Sequence, residues 1–250
     1  FLMVKITSGG DNWVIVDNER DISNPRNTNL KPNSNAAEVD EVGTQFNFLT
    51  NGFQPTGSGA GQGQANANGS TYIYLAIATD PDITQPTQAN SFGTVAYTGN
   101  GSTQDLDFGF KPDLVWIKNR SNANPHSIQD TVTGDFYLRS NAADAAAATS
   151  GNNVSSFNSN GITVKDTSSG AYNVNGSVGG TYSGNAQYVA WAWKAGDHDD
   201  SLPTINTTGT IDSLVSANQN AGFSIVKYTG TGTNATVGHG LSSAPELIIS

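Results

Sequence analysis

Three aspartates open the chemical reading of this chain. Asp105 and Asp107 stand two residues apart, and Asp113 follows closely. On an extended strand, that spacing puts the first two carboxyls on one face, roughly 7 Å apart. Glycoside hydrolysis needs two carboxyls about 5–10 Å apart across a sugar-sized cleft, so polysaccharide cleavage is one chemistry the pattern could serve. The opposing reading is a solvated strand face. Spacing alone is weak support for catalysis, and the sequence favours the bland reading.

The histidines offer less. His198 lies among Asp197, Asp199 and Asp200. Carboxylates suit Ca²⁺ and imidazole suits Zn²⁺, but adjacent side chains of an extended segment point in alternate directions. An acidic linker accounts for the cluster. His239 sits in Gly238-His239-Gly240-Leu241, where the glycines permit a tight turn, and no Gly-x-Ser-x-Gly elbow supplies a nucleophile. His126 stands in a polar loop after Pro125. The run Gly57-Ser58-Gly59-Ala60-Gly61-Gln62-Gly63 evokes a phosphate loop but lacks the Gly-Lys-Ser/Thr ending, and a flexible loop explains it. The expectation is no catalytic residue, no metal and no cofactor.

Aromatic side chains are the remaining candidates. Trp116, Trp191 and Trp193 could stack on sugar faces as a lectin-like patch. Alternation puts Trp191 and Trp193 on one face of a strand and Ala190 and Ala192 on the other. A face carrying two tryptophans is more often core than binding surface.

The elements that position these residues are short apolar runs bounded by turn chemistry. Residues 92–97, 114–118, 161–164 and 188–193 each lie between Gly, Asn or Ser clusters. This pattern predicts an all-β fold of tandem β-sandwich or jelly-roll-like domains. The alanine run at 141–149 reads as a short helix or a loop, with no large apolar stripe to decide between them.

The strands repeat. Tyr97-Thr98-Gly99-Asn100-Gly101-Ser102 returns as Tyr228-Thr229-Gly230-Thr231-Gly232-Thr233, 131 positions on (228 − 97). Pro112-Asp113-Leu114-Val115 returns as Pro245-Glu246-Leu247-Ile248, 133 positions on (245 − 112). Upstream, Phe1 to Lys5 aligns with Leu114 to Lys118, Ile15 with Ile128, Leu30 with Leu138, Phe48 with Phe157, Phe53 with Ile162, and Tyr72 with Tyr188. Ordered matches at a long period indicate an array of similar domains. The expected division is 1–80, the C-terminal part of a repeat; 81–90, a linker; 91–196, a complete repeat; 197–203, a linker; and 204–250, the N-terminal part of a further repeat.

Composition bounds the function. Charged residues make up 13% of the chain, against about 25% in ordinary globular proteins. The net charge of −10 argues against nucleic-acid binding, which needs clustered Lys and Arg. No apolar run approaches the ~20 residues of a transmembrane helix, so membrane insertion is not expected. There are no cysteines.

The stretch from Thr204 to Ile211, with Ala221-Gly222-Phe223-Ser224-Ile225-Val226-Lys227-Tyr228 and Val237-Gly238-His239-Gly240-Leu241, resembles the repeat module of tailed-phage virion proteins. These are usually labelled tail-fibre-like or structural and are common in marine and cyanobacterial phages. Residues 92–102 and 109–118 look like a second flavour of the module. The resemblance implies β-rich repeats on a virus particle and association with other virion proteins. Sheet edges that need covering and a repeated surface predict a homo-oligomer, and the resemblance implies a trimer if the protein is a fibre. It implies no catalytic set. The expected function is a structural virion protein. The alternatives are a receptor-binding adhesin recognising host surface glycans through Trp116, Trp191 and Trp193, and a depolymerase.

Overall fold

The computed structural model describes residues 1–57, 64–78, 91–149, 153–165, 174–176, 186–196 and 203–250. The glycine-rich run at 58–63, both expected linkers apart from Pro203, and the His198 cluster lie outside the described residues.

The protein is all-β. The first copy holds β1 (Leu2–Ile6), β2 (Val14–Val16), β3 (Thr28–Asn29), β4 (Val39–Asp40), β5 (Phe46–Leu49), β6 (Gly52–Pro55) and β7 (Tyr72–Ala76). The central copy holds β8 (Phe92–Thr98), β9 (Thr103–Asp107), β10 (Leu114–Asn119), β11 (Ser127–Asp130), β12 (Phe136–Leu138), β13 (Ala147–Ala148), β14 (Asn153–Asn158), β15 (Gly161–Lys165) and β16 (Gln187–Trp193). The last stretch adds β17 (Thr204–Asn206), β18 (Ser213–Asn218) and β19 (Phe223–Tyr228). The alanine run at 141–149 takes the loop alternative, closing into the two-residue strand β13. Among the described residues no helix is long and apolar enough to cross a membrane.

The central copy is a sandwich. A six-stranded sheet, ordered β13-β12-β11-β10-β16-β8, faces a three-stranded sheet, β14-β15-β9. Period-2 alternation decides which residues meet. Tyr97, Val115, Ile117, Tyr188, Ala190 and Ala192 project from the large sheet onto Leu106, Val154, Ile162 and Val164 of the small one. Tyr188 stacks on Tyr97 with ring centroids 5.1 Å apart. The small alanines leave room for these rings.

One glycine is required by close approach. A Cβ on Gly161 would lie 1.9 Å from the Leu106 carbonyl oxygen, where β15 crosses β9. Gly161→Ala is therefore expected to force the two strands apart and cost about 1–3 kcal/mol. Gly10→Ala, which meets nothing within 4 Å, is the control and should change stability by under ~0.5 kcal/mol. Urea melts of both variants check the contrast.

Duplication is visible in strand order and register. The first sheet runs β2-β1-β7, the same order as β11-β10-β16. Met3 pairs with Ile15 and Leu75, as the aligned Trp116 pairs with Ile128 and Trp191. Ile15 bridges to Leu30 as Ile128 pairs with Leu138, and Phe48 faces Phe53 as Phe157 faces Ile162. Local hydrogen bonding repeats too. Asp17 Oδ1 accepts the N–H groups of Glu19 and Arg20, and Asp130 Oδ1 accepts those of Val132 and Thr133. Lys5 Nζ donates to the carbonyls of Ile6 and Gly9, and Lys118 Nζ donates to those of Asn119 and Asn122.

Candidate functional site

Three apolar layers hold four sheets together. Leu2, Val4, Val14, Val16 and Phe46 join β2-β1-β7 to the β5-β6 hairpin. The cluster around Tyr97 and Val115 joins the two sheets of the central copy. Between them lies a third layer, in which Phe1, Met3, Ile15 and Leu30 of the first copy pack against Val189 and Trp191 of the central one. This seam is the most elaborated region of the molecule and the candidate functional site.

Aromatic rings fill its centre. Trp191 is fully buried. Phe1 and Trp116 each meet it edge-on, with centroids 5.8 Å away. Phe92 and Trp193 lie 5.1 Å apart beside them, and Trp193 also stacks on Phe223 of the last stretch at 6.4 Å. Edge-to-face packing suits rings whose faces are electron-rich and whose edges are electron-poor. Alternation along β16 does what the sequence leads one to expect: Trp191 and Trp193 share the seam face, and Ala190 and Ala192 face the central copy's own core.

A charged chain surrounds the rings. Trp191 Nε1–H donates to Asp17 Oδ2 at 3.1 Å, and the same oxygen accepts Arg20 Nε at 2.7 Å. Neither the Asp17 nor the Arg20 side chain reaches solvent. Burial alone would raise Asp17, but the Arg20 charge and the hydrogen bonds from Arg20 and Trp191 hold its carboxyl below the usual aspartate range. Arg20 continues through Nη1 to Glu38 Oε1 at 2.6 Å. Glu38 then accepts Nε and Nη2 of Arg120, from the central copy, at 2.8–3.0 Å. The Glu38 N–H closes the link by donating to the Arg120 carbonyl at 2.8 Å.

A strap from the first copy, residues 31–38, lies across the central one. His126 is its anchor. Trp116 Nε1–H donates to His126 Nδ1 at 2.8 Å, so the ring proton sits on Nε2, which reaches the carbonyls of Lys31 and Ser34 at 3.1 Å each. Ser140 Oγ donates to the Pro32 carbonyl, and Lys118 Nζ to that of Asn35. Burial lowers the Lys118 ammonium to about 8, partly offset by Glu38. Burial, with the Lys118 charge behind it, pushes His126 down to about 3.

His126 therefore links seam stability to pH. The unfolded histidine titrates near 6.5 and the folded one near 3, so below pH 6.5 the unfolded chain gains a proton that the folded chain refuses. This contribution is complete above pH 6.5 and is lost as pH falls towards 3, at up to ~1.4 kcal/mol per pH unit. Melting temperatures measured from pH 7 to pH 4 should fall accordingly. His126→Gln should flatten that dependence.

The other candidates are engaged locally. Asp105 accepts the Thr163 hydroxyl at 2.6 Å, and Asp107 accepts the Gly109 N–H and the Asn160 amide. Asp113 is buried and caps the end of β16, accepting the N–H groups of Ala195 and Gly196 at 2.8 Å each. His239 accepts the Leu241 N–H across a turn in which Gly240 has φ +74°. Of the tryptophans offered for glycan contact, Trp191 is buried, and Trp116 and Trp193 are half-buried against it and its neighbours. Among the described residues no three His, Cys, Asp or Glu side chains cluster for a metal.

Arg20, Glu38, Arg120 and Lys118 belong to no motif in the sequence, and His126 reads there as part of a polar loop after Pro125. The usable signal is scarcity. In a chain with only 11 Lys and Arg, each basic residue beside a predicted strand deserves a named partner.

A family model described as Domain of unknown function (DUF7483) matches residues 1–81 and 87–250, spanning both copies and the seam. No curated protein and no solved structure matches the chain.

Proposed function

We propose that the chain, which belongs to this family of unknown function over residues 1–81 and 87–250, is a structural protein of a tailed-phage virion, a fibre or appendage segment. Its work is mechanical. Repeats joined through sheet faces hold their relative orientation, and repeated surfaces present the protein to copies of itself and to other virion proteins. It acts outside the cell, on the particle, without catalysis, metal or cofactor.

The observation that carries this reading is the seam. A flexible binding module needs only a tether between domains, whereas here an aromatic layer, the Asp17–Arg20–Glu38–Arg120 chain and the 31–38 strap all cross between copies. The engagement of Trp116, Trp191 and Trp193 by neighbouring rings supports the scaffold over the glycan-binding adhesin. The virion assignment draws on the likeness of the repeats to phage tail-fibre-like modules. Immunogold labelling and peptide mass spectrometry of purified particles from a phage encoding the chain test it. Labelling of an appendage is the expected result, and absence from the particle overturns the proposal.

A further inference from the structure

Five Asn-Gly pairs punctuate the chain, at Asn51, Asn68, Asn100, Asn160 and Asn175. Such a pair can react with itself. The glycine nitrogen, once it has lost its proton to base, attacks the side-chain amide carbon of the asparagine. Glycine has no Cβ to hinder that approach. Two conditions decide whether a folded chain allows it. The glycine N–H must not be committed to an acceptor, and the amide must be free to turn.

Four of the pairs fail these conditions. Asn100 and Asn175 lock each other. Asn175 Nδ2 donates to Asn100 Oδ1 at 2.9 Å and to the Ser102 carbonyl at 3.0 Å, and Asn175 Oδ1 accepts the Asn100 N–H at 3.0 Å. The Gly101 N–H donates to the Asn175 carbonyl at 2.7 Å, and the Gly176 N–H to the Tyr188 hydroxyl at 3.0 Å. Asn160 Nδ2 donates to Asp107 Oδ1, and Gly161 is held opposite Asn158 at the start of β15. Asn51 has an exposed side chain, but Gly52 opens β6 and is fixed opposite Leu49 in the hairpin ladder.

The pair at 68–69 differs. Both residues are exposed, and among the described residues neither makes a hydrogen bond. They are the central residues of a turn closed by the Ser70 N–H, which donates to the Ala67 carbonyl at 3.1 Å. Gly69 has φ +77°, in the left-handed region that favours glycine, and a Cβ placed there would meet nothing within 4 Å. The turn lies between β6 and β7 and contributes no side chain to the three apolar layers. Local opening of such a turn disturbs no core contact.

We propose that Asn68 is a modification site, converting spontaneously to aspartate and isoaspartate on the folded protein ahead of the other four asparagines. A bond forms between Gly69 N and Asn68 Cγ, the Cγ–Nδ2 bond breaks, and the amide nitrogen gains a proton and leaves as ammonia. Water then opens the cyclic imide at either carbonyl. One opening gives an ordinary aspartate. The other routes the backbone through Cβ and gives isoaspartate. Nothing is oxidised or reduced, and water is the only co-reactant. Either product adds a negative charge to a chain already at −10. Isoaspartate also lengthens the backbone inside the turn that leads into β7.

Peptide mapping by mass spectrometry, on the chain held in mildly alkaline buffer, tests the proposal. Asn68 should convert at least about tenfold faster than Asn100 and Asn175, where hydrogen bonds to both the amide and the glycine must open first. Isoaspartyl methyltransferase with a labelled methyl donor should mark the peptide carrying residue 68 before any other. Asn68→Gln, whose longer side chain closes the ring far less readily, should remove that mark and leave the melting temperature unchanged. Urea supplies the structural control, since all five sites should convert at similar rates once the chain is unfolded. If another of the five keeps pace with Asn68 in the folded chain, the proposal is overturned. It is equally overturned if the same ranking persists in urea, because neighbouring sequence rather than the fold would then set the order.

Discussion

Trp191→Ala is expected to be the most damaging single substitution in the protein, costing about 3–5 kcal/mol. The side chain is fully enclosed by Phe1, Trp116 and the first copy's sheet, so its removal leaves a cavity that two packed sheets cannot close. It also removes the N–H that Asp17 accepts, leaving that buried carboxylate to Arg20 and the turn alone. At roughly 2–4 °C per kcal/mol for a chain of this size, Tm should fall by about 10 °C or more. Trp191→Phe separates the two contributions. It retains much of the ring packing and loses the hydrogen bond, and about 1–3 kcal/mol is expected. If both variants melt like the parent in calorimetry, the seam is not a cooperative part of the fold.

Glu38→Ala should cost about 3 kcal/mol, at the lower end of what removing one partner of a buried ion pair does. Arg20 is sealed from solvent and would keep Asp17 as its ion-pair partner and the Ile15 carbonyl as an acceptor, with Nη1 left without Glu38, while Arg120 would lose a two-pronged carboxylate contact. The penalty is the cost of charges left without a partner, not the net worth of the pair. Glu38→Leu combined with Arg120→Met should therefore be less harmful than the two single costs added together. A double-mutant cycle in urea is expected to show a coupling of about 1–3 kcal/mol. Because the chain is enclosed, adding salt should change that coupling little.

Much of the architecture could be read from the residues because two periodicities act at different scales. Short apolar runs between turn residues mark β8, β10, β15 and β16 as strands, and period-2 alternation assigns the two faces of β16. The longer repeat then carried register from one copy to the other, so that aligning Ile15 with Ile128 and Leu30 with Leu138 anticipated matching pairs. The seam was not legible in the same way. Trp13 aligns with His126 and Met3 with Trp116, and these are the positions where the copies diverged in side-chain type while keeping their place. Similarity cannot report an interface whose two sides must differ to fit. The strap at 31–38 was also hidden, because its contacts to Lys118, His126 and Ser140 are made largely by main-chain carbonyls, which every sequence has.

The face-to-face seam also makes each copy depend on the other. Met3 and Trp116 occupy equivalent positions, as do Leu75 and Trp191, so each copy contributes the same face of the same sheet. Once the two copies have met in this way, each is the other's shield from water, and the rim of the face at Trp193 is taken up by Phe223 of the last stretch. Neither sheet can therefore be lifted away alone: parting them would bare aromatic and aliphatic side chains on both at once.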